Sequence, residues 1–476
     1  MELRLEWRSR DEMDPLEAIT PIDGRYREKL EQLSEYFSEH ALIKERARVE
    51  VEYLAKLIEE VEPGKISALP LKWREVLRVI GEEISIEDAR RVKELERALG
   101  HDVAALIRLL REKLHEYGLG IIASHIHLGL TSEDVNNLAL SRLLHRFNQE
   151  ALIPALISLI EKLSSLALEH VDTIMLGRTH GVPAVPTTFG KFLANYAYRV
   201  ARIAEELHSF RFPGKLGGAV GDLSALKVAY PNVDWLEFAR SFVESMGLEY
   251  FPAATQILPH DRVSEYLMKV AILDSVLSNL CRDLWMLSSL GLLIFGIREK
   301  EIHSSTMPHK SNPILLENAE GAFDLASESL AYMARRLISS RLQRDLSDSI
   351  IKRFYGLPLS LTVLGIRNLE GALDRIIVRK EEMLLEVEGH PEILTEAYQV
   401  FLRKLGVEDA YELIQQAVKD GWSKVAEVLR SHLPESEYSK LADLRPSSYT
   451  GEAERLTIQL LDEVDRIYKK LTAARP

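Results

Sequence analysis

Residues 266–287 read YLMKVAILDSVLSNLCRDLWML. Within them Tyr266, Val270, Leu273, Leu277, Leu280, Leu284 and Leu287 recur at alternating spacings of four and three. On a helix of 3.6 residues per turn these side chains form one stripe, which has to be buried against other helices. Two further segments repeat the pattern. One carries Leu152, Leu156, Leu159, Leu163 and Leu166; the other carries Phe189, Leu193, Tyr196, Val200, Ile203, Leu207 and Phe210. Long amphipathic helices stacked in this way predict an extended bundle, and alternating strand patterns are scarce. The expected fold class is therefore all-α.

On either side the helical patterns are shorter and more often broken, as at Pro63-Gly64 and Gly389-His390-Pro391. A chain of 476 residues suits two or three domains. We expect an N-terminal helical domain over 1–120, the central bundle over 121–369 and a C-terminal helical domain over 370–476. Met13-Asp14-Pro15 resembles a chain start, so residues 1–12 are expected to be an extension.

With 60 Lys and Arg against 73 Asp and Glu, the formal net charge is −13. Such a surface repels a phosphate backbone and argues against general nucleic-acid binding, while a local Arg/Lys cluster can still hold a small anion. Cys281 is the only cysteine, which excludes an intrachain disulfide and any Cys-based zinc or iron–sulfur site. Residues 1–10 lack the apolar core of a signal peptide. The run 284–297, read as the most apolar, falls short of the roughly 18–20 residues that a membrane span needs. The expectation is a cytoplasmic protein with no nucleic-acid or membrane partner.

Helix-breaking punctuation gathers in candidate loops at 177–186, 213–222, 251–261 and 299–313, and these hold the unusual chemistry. The densest is His303-Ser304-Ser305-Thr306-Met307-Pro308-His309-Lys310-Ser311-Asn312-Pro313. Its two prolines oppose a continuous helix. It reads either as a solvated connector or as a place for a mobile nucleophile or base, followed by a helix carrying Glu317. In Gly177-Arg178-Thr179-His180-Gly181-Val182-Pro183-Ala184 a lone histidine is more often structural than catalytic, but a tight Gly/Pro-bounded turn beside Arg178 favours chemistry. The next helix has Thr187 or Thr188 as its N-cap. Thr131-Ser132-Glu133-Asp134-Val135-Asn136-Asn137 reads first as a helix start, with a hydroxyl cap and acids in the first turn. Pro21-Ile22-Asp23-Gly24-Arg25-Tyr26 is an ordinary turn signal that also permits a phosphate contact.

Other stretches carry less. Gly217-Gly218-Ala219-Val220-Gly221 fits neither the dinucleotide fingerprint nor the Walker pattern. His125 and His127, two apart, would not share a helix face, and no metal site is expected. The run 82–97 reads as a solvated helix face.

The stretch 303–313 closely resembles the signature of the fumarase/aspartase superfamily, Gly-Ser-Ser-x-Met-Pro-x-Lys-x-Asn-Pro. Its Met-Pro-His-Lys form points to the branch acting on succinylated purine nucleotides; argininosuccinate-cleaving members usually have Met-Pro-Gln-Lys. Similarity continues through 21–26, His101-Asp102, 131–137, 178–191, 214–234, 255–261, 343–353 and Pro446-Ser447-Ser448-Tyr449-Thr450-Gly451. The resemblance implies a three-domain helical fold whose long helices assemble a homotetramer, with each active site made from loops of three subunits. It also implies a cofactor-free β-elimination of fumarate, giving AMP from its succinylated form and cleaving the succinylated carboxamide nucleotide at the same site.

By that resemblance Ser304 is the general base and His180 the general acid. Lys310 stabilises developing charge, and His101 orients or charges His180. Arg25, Tyr26, Arg344, Ser349 and Arg353 match positions around the nucleotide and its phosphate, where Lys352-Arg353 would supply two cations. Thr131, Ser132, Gln256, Ser305, Lys310 and Asn312 match positions near the succinyl group; Asp102 and Asn318 match further substrate-binding positions. His303 stands where the superfamily has glycine, which would stiffen the loop or add a polar contact. The competing readings are an argininosuccinate-cleaving or other superfamily lyase, and a non-catalytic protein that keeps the fold.

Overall fold

The computed structural model describes residues 15–296, 307 and 311–473. They are mostly helical, and among them strands occur only as three short pairs. The stripe at 266–287 lies on helix Asp261–Ser289, with Tyr266, Val270, Leu273, Leu277, Leu280 and Leu284 all fully buried. The all-helical expectation holds, and the chain separates into two compact units whose boundaries fall within long helices.

The first unit comprises Met1–Ala155, Glu206–Ser275 and Gly321–Ile366. Its core joins Val51, Leu54 and Ile58 of helix Glu39–Glu60 to Leu77 and Ile80 of helix Trp73–Glu82. Val92 of helix Ile86–Leu99 and Leu106, Leu110 and Leu114 of helix Asp102–Glu116 complete it. Gly81 allows the first two helices to approach: a Cβ there would stand 2.4 Å from Val51 Cγ2. Helix Ile86–Leu99 starts on a reciprocal Ser85/Asp88 cap, ends at left-handed Gly100, and carries ion pairs such as Arg90–Glu87 on its solvated face.

Helix Ser132–Phe147 passes through a π turn, Asn148–Leu152, into helix Ile153–Glu169. Pro154, which has no amide hydrogen to give to Glu150, lies just beyond the widened turn. The buried Asn148 side chain fastens that turn by donating to the Leu207 carbonyl at 2.8 Å and accepting from Tyr266 Oη at 3.3 Å. By length and composition the stretch Ser132–Glu169 contains a window apolar enough to cross a membrane, and half of that window is buried inside the protein.

The second unit comprises Leu156–Glu205, Val276–Glu320 and Arg367–Pro476. Strands Ile174–Thr179 and Val182–Thr188 form an antiparallel hairpin, so the segment expected as a loop at 177–186 is mostly paired backbone. Ile174 and Leu176 pack it against Val387 and Ile393. Thr188, one of the two candidate caps, accepts from the Lys191 amide at 3.1 Å and opens helix Phe189–His208. A separate core, with Leu394, Leu402, Ile414, Ala417, Val425 and Leu429, holds the helices between 395 and 442 together.

Candidate active site

In the first unit, Gly100 ends one helix and the next residue opens another. His101 has extended backbone, and its Nδ1 accepts from the Ala104 amide at 3.3 Å. In the neutral ring that leaves Nε2 carrying the hydrogen, and it faces Ser132 Oγ at 3.3 Å. Ser132 is the first residue of helix Ser132–Phe147, whose cap Thr131 gives its amide hydrogen to Asp134 Oδ2 at 2.9 Å. The helix-start reading of 131–134 is thus met, and an imidazole and a hydroxyl expected at the substrate meet beside it.

Asp102 lies 3.0 Å from both Arg46 and Arg353, and Arg353 also reaches Glu39 at 3.1 Å. Burial favours the neutral acid at Asp102, but the Arg46 and Arg353 guanidiniums and the Val103 amide outweigh it and hold the carboxyl below its usual range. Arg353 lines a cavity of about 300 Å³ together with Thr20, Asp23, Arg27, Ser34 and Ser38. Glu31 lines it as well, and both guanidiniums already meet carboxylates, Arg27 at Asp23 and Arg353 at Glu39 and Asp102, so an anion here would have to share them. Arg25 is exposed and Tyr26 half-buried in the adjoining turn at 21–26, but neither lines the cavity. Ser349 is half-buried on helix Ser347–Arg353.

Gln256 Oε1 accepts from Arg344 Nη1 at 3.3 Å, which joins two further predicted residues. The sequence reading of Lys352 as a phosphate-facing cation is corrected. Its side chain is buried, with Nζ 2.7 Å from Glu133 Oε1 and 2.7 Å from Asp348 Oδ2. Burial opposes ionisation of Asp348, but the His260 ring, 3.5 Å away, and the Lys352 ammonium overcome it and drive the carboxyl far below its ordinary range.

Glu133 and Asp134 are in the first turn as expected, and both are fully buried. Asp134 Oδ1 receives Lys215 Nζ at 2.7 Å and the Gly217 amide at 2.8 Å, while Oδ2 takes the Gly218 amide at 3.0 Å. This explains the glycine-rich run, in which a Cβ at Gly221 (φ +99°) would stand 2.4 Å from the Ala254 carbonyl oxygen. The burial and pairing of Glu133, Asp134, Lys215, His260 and Asp348 were not legible in the sequence, because nothing local distinguishes a buried polar group from an exposed one. Arg27 had one available signal, its position in the first turn after Arg25-Tyr26.

In the second unit, His180 and Gly181 are the two turn residues of the hairpin, with φ of +55° and +79°. Both are left-handed, as the commonest tight hairpin turn demands, and histidine bears that conformation at a cost. Its side chain is exposed. Neighbouring Arg178 is held by Glu386. Asn312 is half-buried just before helix Ile314–Leu337, which carries the exposed Asn318. His303, Ser304, Ser305 and Lys310 lie outside the described residues.

The chain matches the lyase family over residues 24–324 and the adenylosuccinate lyase C-terminal family over residues 340–450. It is 36% identical over 460 residues to adenylosuccinate lyase of Escherichia coli (strain K12), covering 95% of this chain and 100% of that one. Its identity to adenylosuccinate lyase of Haemophilus influenzae is 35% over 455 residues, covering 94% and 100%. Among solved structures, 3-carboxy-cis,cis-muconate lactonizing enzyme from Pseudomonas putida superposes with a TM-score of 0.72 at 22% identity, covering 92% of this chain and 97% of that one. Fumarate lyase from Mesorhizobium sp. BNC1 gives 0.73 at 20%, covering 91% and 97%. At these identities the two structures speak for the fold alone. The sequence likeness runs end to end, and the chain belongs to the adenylosuccinate lyase family of the fumarase/aspartase superfamily.

Proposed function

We propose that this chain eliminates fumarate from adenylosuccinate to give AMP, and from the succinylated carboxamide nucleotide SAICAR to give AICAR. The observation that carries the activity is the end-to-end likeness to adenylosuccinate lyases over 95% of the chain. In the mechanism we favour, Ser304 removes the proton from the carbon beside a carboxylate, leaving a dianionic aci-carboxylate next to Lys310. The C–N bond then breaks, its electron pair goes to the departing nitrogen, and His180 protonates that nitrogen. His101 orients or charges His180. Its engagement with Ser132 supports a place at the succinyl end, with Thr131, Gln256, Ser305 and Asn312 beside it. Arg353, Arg344, Ser349, Arg25 and Tyr26 take the nucleotide and its phosphate, and the place of Arg353 on the wall of a cavity supports its role. Asp102 and Asn318 complete the substrate contacts.

We also propose a homotetramer with each site shared among three subunits. Exposed apolar side chains on the long helices, Met268, Ile272, Met286, Leu325 and Tyr332, support it by offering surface for neighbouring copies. A cytoplasmic location and division into domains at about 120 and 370 belong to the same reading. The charge pairs of Glu133 and Asp134, at the start of the apolar Ser132–Glu169 stretch, suit a core helix better than a lipid-facing one.

The test is to incubate purified protein separately with adenylosuccinate and argininosuccinate and to follow fumarate. Release from the first, abolished by Ser304→Ala with the oligomer intact, is the expected result; release only from the second overturns the assignment.

A further inference from the structure

Three segments that approach the proposed nucleotide site are tied into one ring of buried charge. Gln256 accepts from Arg344 at 3.3 Å, and Arg344 Nη2 lies 3.4 Å from Glu133 Oε2. The other oxygen of Glu133 takes Lys352 Nζ at 2.7 Å, and Lys352 also pairs with Asp348 one turn earlier. Asp348 lies 3.5 Å from His260 Nε2, and His260 closes the ring through the chain, four residues after Gln256.

Stability alone is a poor reason for this cluster. Glu133, Asp348, Lys352 and His260 are all buried, and the carboxylates and the ammonium among them each cost several kcal/mol to desolvate, so apolar side chains of similar volume often serve an interior as well or better. Arg344 Nε, Asp348 Oδ1 and His260 Nε2 are moreover buried without a hydrogen-bond partner, which adds to the cost. What the ring does achieve is geometric. Arg344 sits at its edge with 16% of its side chain exposed, while the carboxylate that aims it is wholly enclosed.

We propose that Glu133 is a positioning residue that aims the Arg344 guanidinium at the nucleotide, with Lys352, Asp348 and His260 fixing Glu133 in turn. Lys352 neutralises Glu133 from one side and leaves Oε2 for Arg344. Arg344 is thereby held ready before substrate arrives, and less side-chain freedom is lost on binding. This inference rests on the proposed function and deepens it by assigning the support of one nucleotide contact.

The experiment measures KM and kcat for adenylosuccinate with the assembled enzyme, for wild type, Glu133→Gln, Arg344→Gln and the double variant. Loss of one charge-assisted contact should raise KM about tenfold in Glu133→Gln while kcat stays within about threefold. In the Arg344→Gln background the same change should add less than about twofold, because there is no guanidinium left to aim. An unchanged KM, a fall in kcat alone, or full additivity of the two changes overturns the proposal. Should Glu133→Gln fail to fold, Glu133→Asp takes its place: it keeps the charge but withdraws the carboxylate from Arg344 by one methylene, so KM must rise, and an unchanged KM is again fatal. A wild-type protein that releases no fumarate defeats the functional reading, whereas an active wild type with indifferent variants defeats this inference alone.

Discussion

The floor built by 131–134, 256–260 and 344–353 and the hairpin tip at 179–182 solve opposite problems. On the floor nearly every charge is enclosed and paired, with Lys352 between Glu133 and Asp348 and Asp134 gripped by Lys215 and two loop amides. At the tip, one imidazole stands exposed on a two-residue turn that bends histidine into left-handed backbone. Groups that hold a substrate gain from being fixed beforehand, while a group that delivers a proton has to reach its target and return. Rigidity is placed under the proposed binding residues, and strain under the proposed acid.

The sharpest way to break this contrast is His180→Gln. Loss of a general acid should lower kcat by on the order of 10²–10⁴, with Tm nearly unchanged because the tip buries little. A large Tm loss with kcat preserved would make the tip structural after all. On the floor the expected balance is reversed. Lys352→Met strands Glu133 and Asp348 as buried carboxylates and should cost roughly 3–5 kcal/mol in chemical denaturation. A loss within 1 kcal/mol would show that the two acids do not depend on that ammonium.

The smallest effect comes from a third carboxyl, which sharpens the comparison. Asp274 is as deeply enclosed as Glu133 but pairs with no cation among the described residues, so burial drives its pKa well above the usual carboxylate range, only partly offset by Thr362. The Thr362 hydroxyl lies 2.9 Å from Asp274 Oδ2 and 3.2 Å from the Pro358 carbonyl oxygen. One hydroxyl hydrogen cannot serve both, but a protonated Asp274 donating to that hydroxyl frees it for Pro358. A raised folded-state pKa contributes stability that is complete below about pH 4, the unfolded value, and is lost as pH rises through the folded value. Asp274→Asn removes that dependence, so Tm should rise at pH 7, by on the order of 2 °C, and not at pH 4. Equal shifts at both pH values would mean that Asp274 does not titrate in this way.

The parts of the molecule legible in its sequence share one property: the information is periodic and local. Tyr266 through Leu284 repeat often enough to mark a helix and its buried face, and the Thr188 cap acts over three residues, to Lys191. The hairpin was hidden because Gly177, Pro183 and Pro186 look like breaks, although Gly177 is where the ladder shifts register and its missing Cβ makes room for the Val185 carbonyl. Lys352 was misplaced for a different reason. Beside Arg353 it resembles half of a phosphate clamp, and only Glu133, 219 positions away, turns it inward. Residue types at the candidate site could be recognised from the 303–313 loop and its relatives, but the pairing of buried charges across the chain could not.

The Asp134–Lys215 pair has a consequence for the solution in which the protein works. At 0% and 1% exposure its two charges are beyond the reach of mobile ions, which at physiological ionic strength screen exposed charges over about 8 Å. Added salt will therefore weaken surface couples such as Arg90–Glu87 long before it loosens the turn at Thr131 and Ser132. The backbone at the proposed succinyl end is insulated from salinity in a way the surface is not.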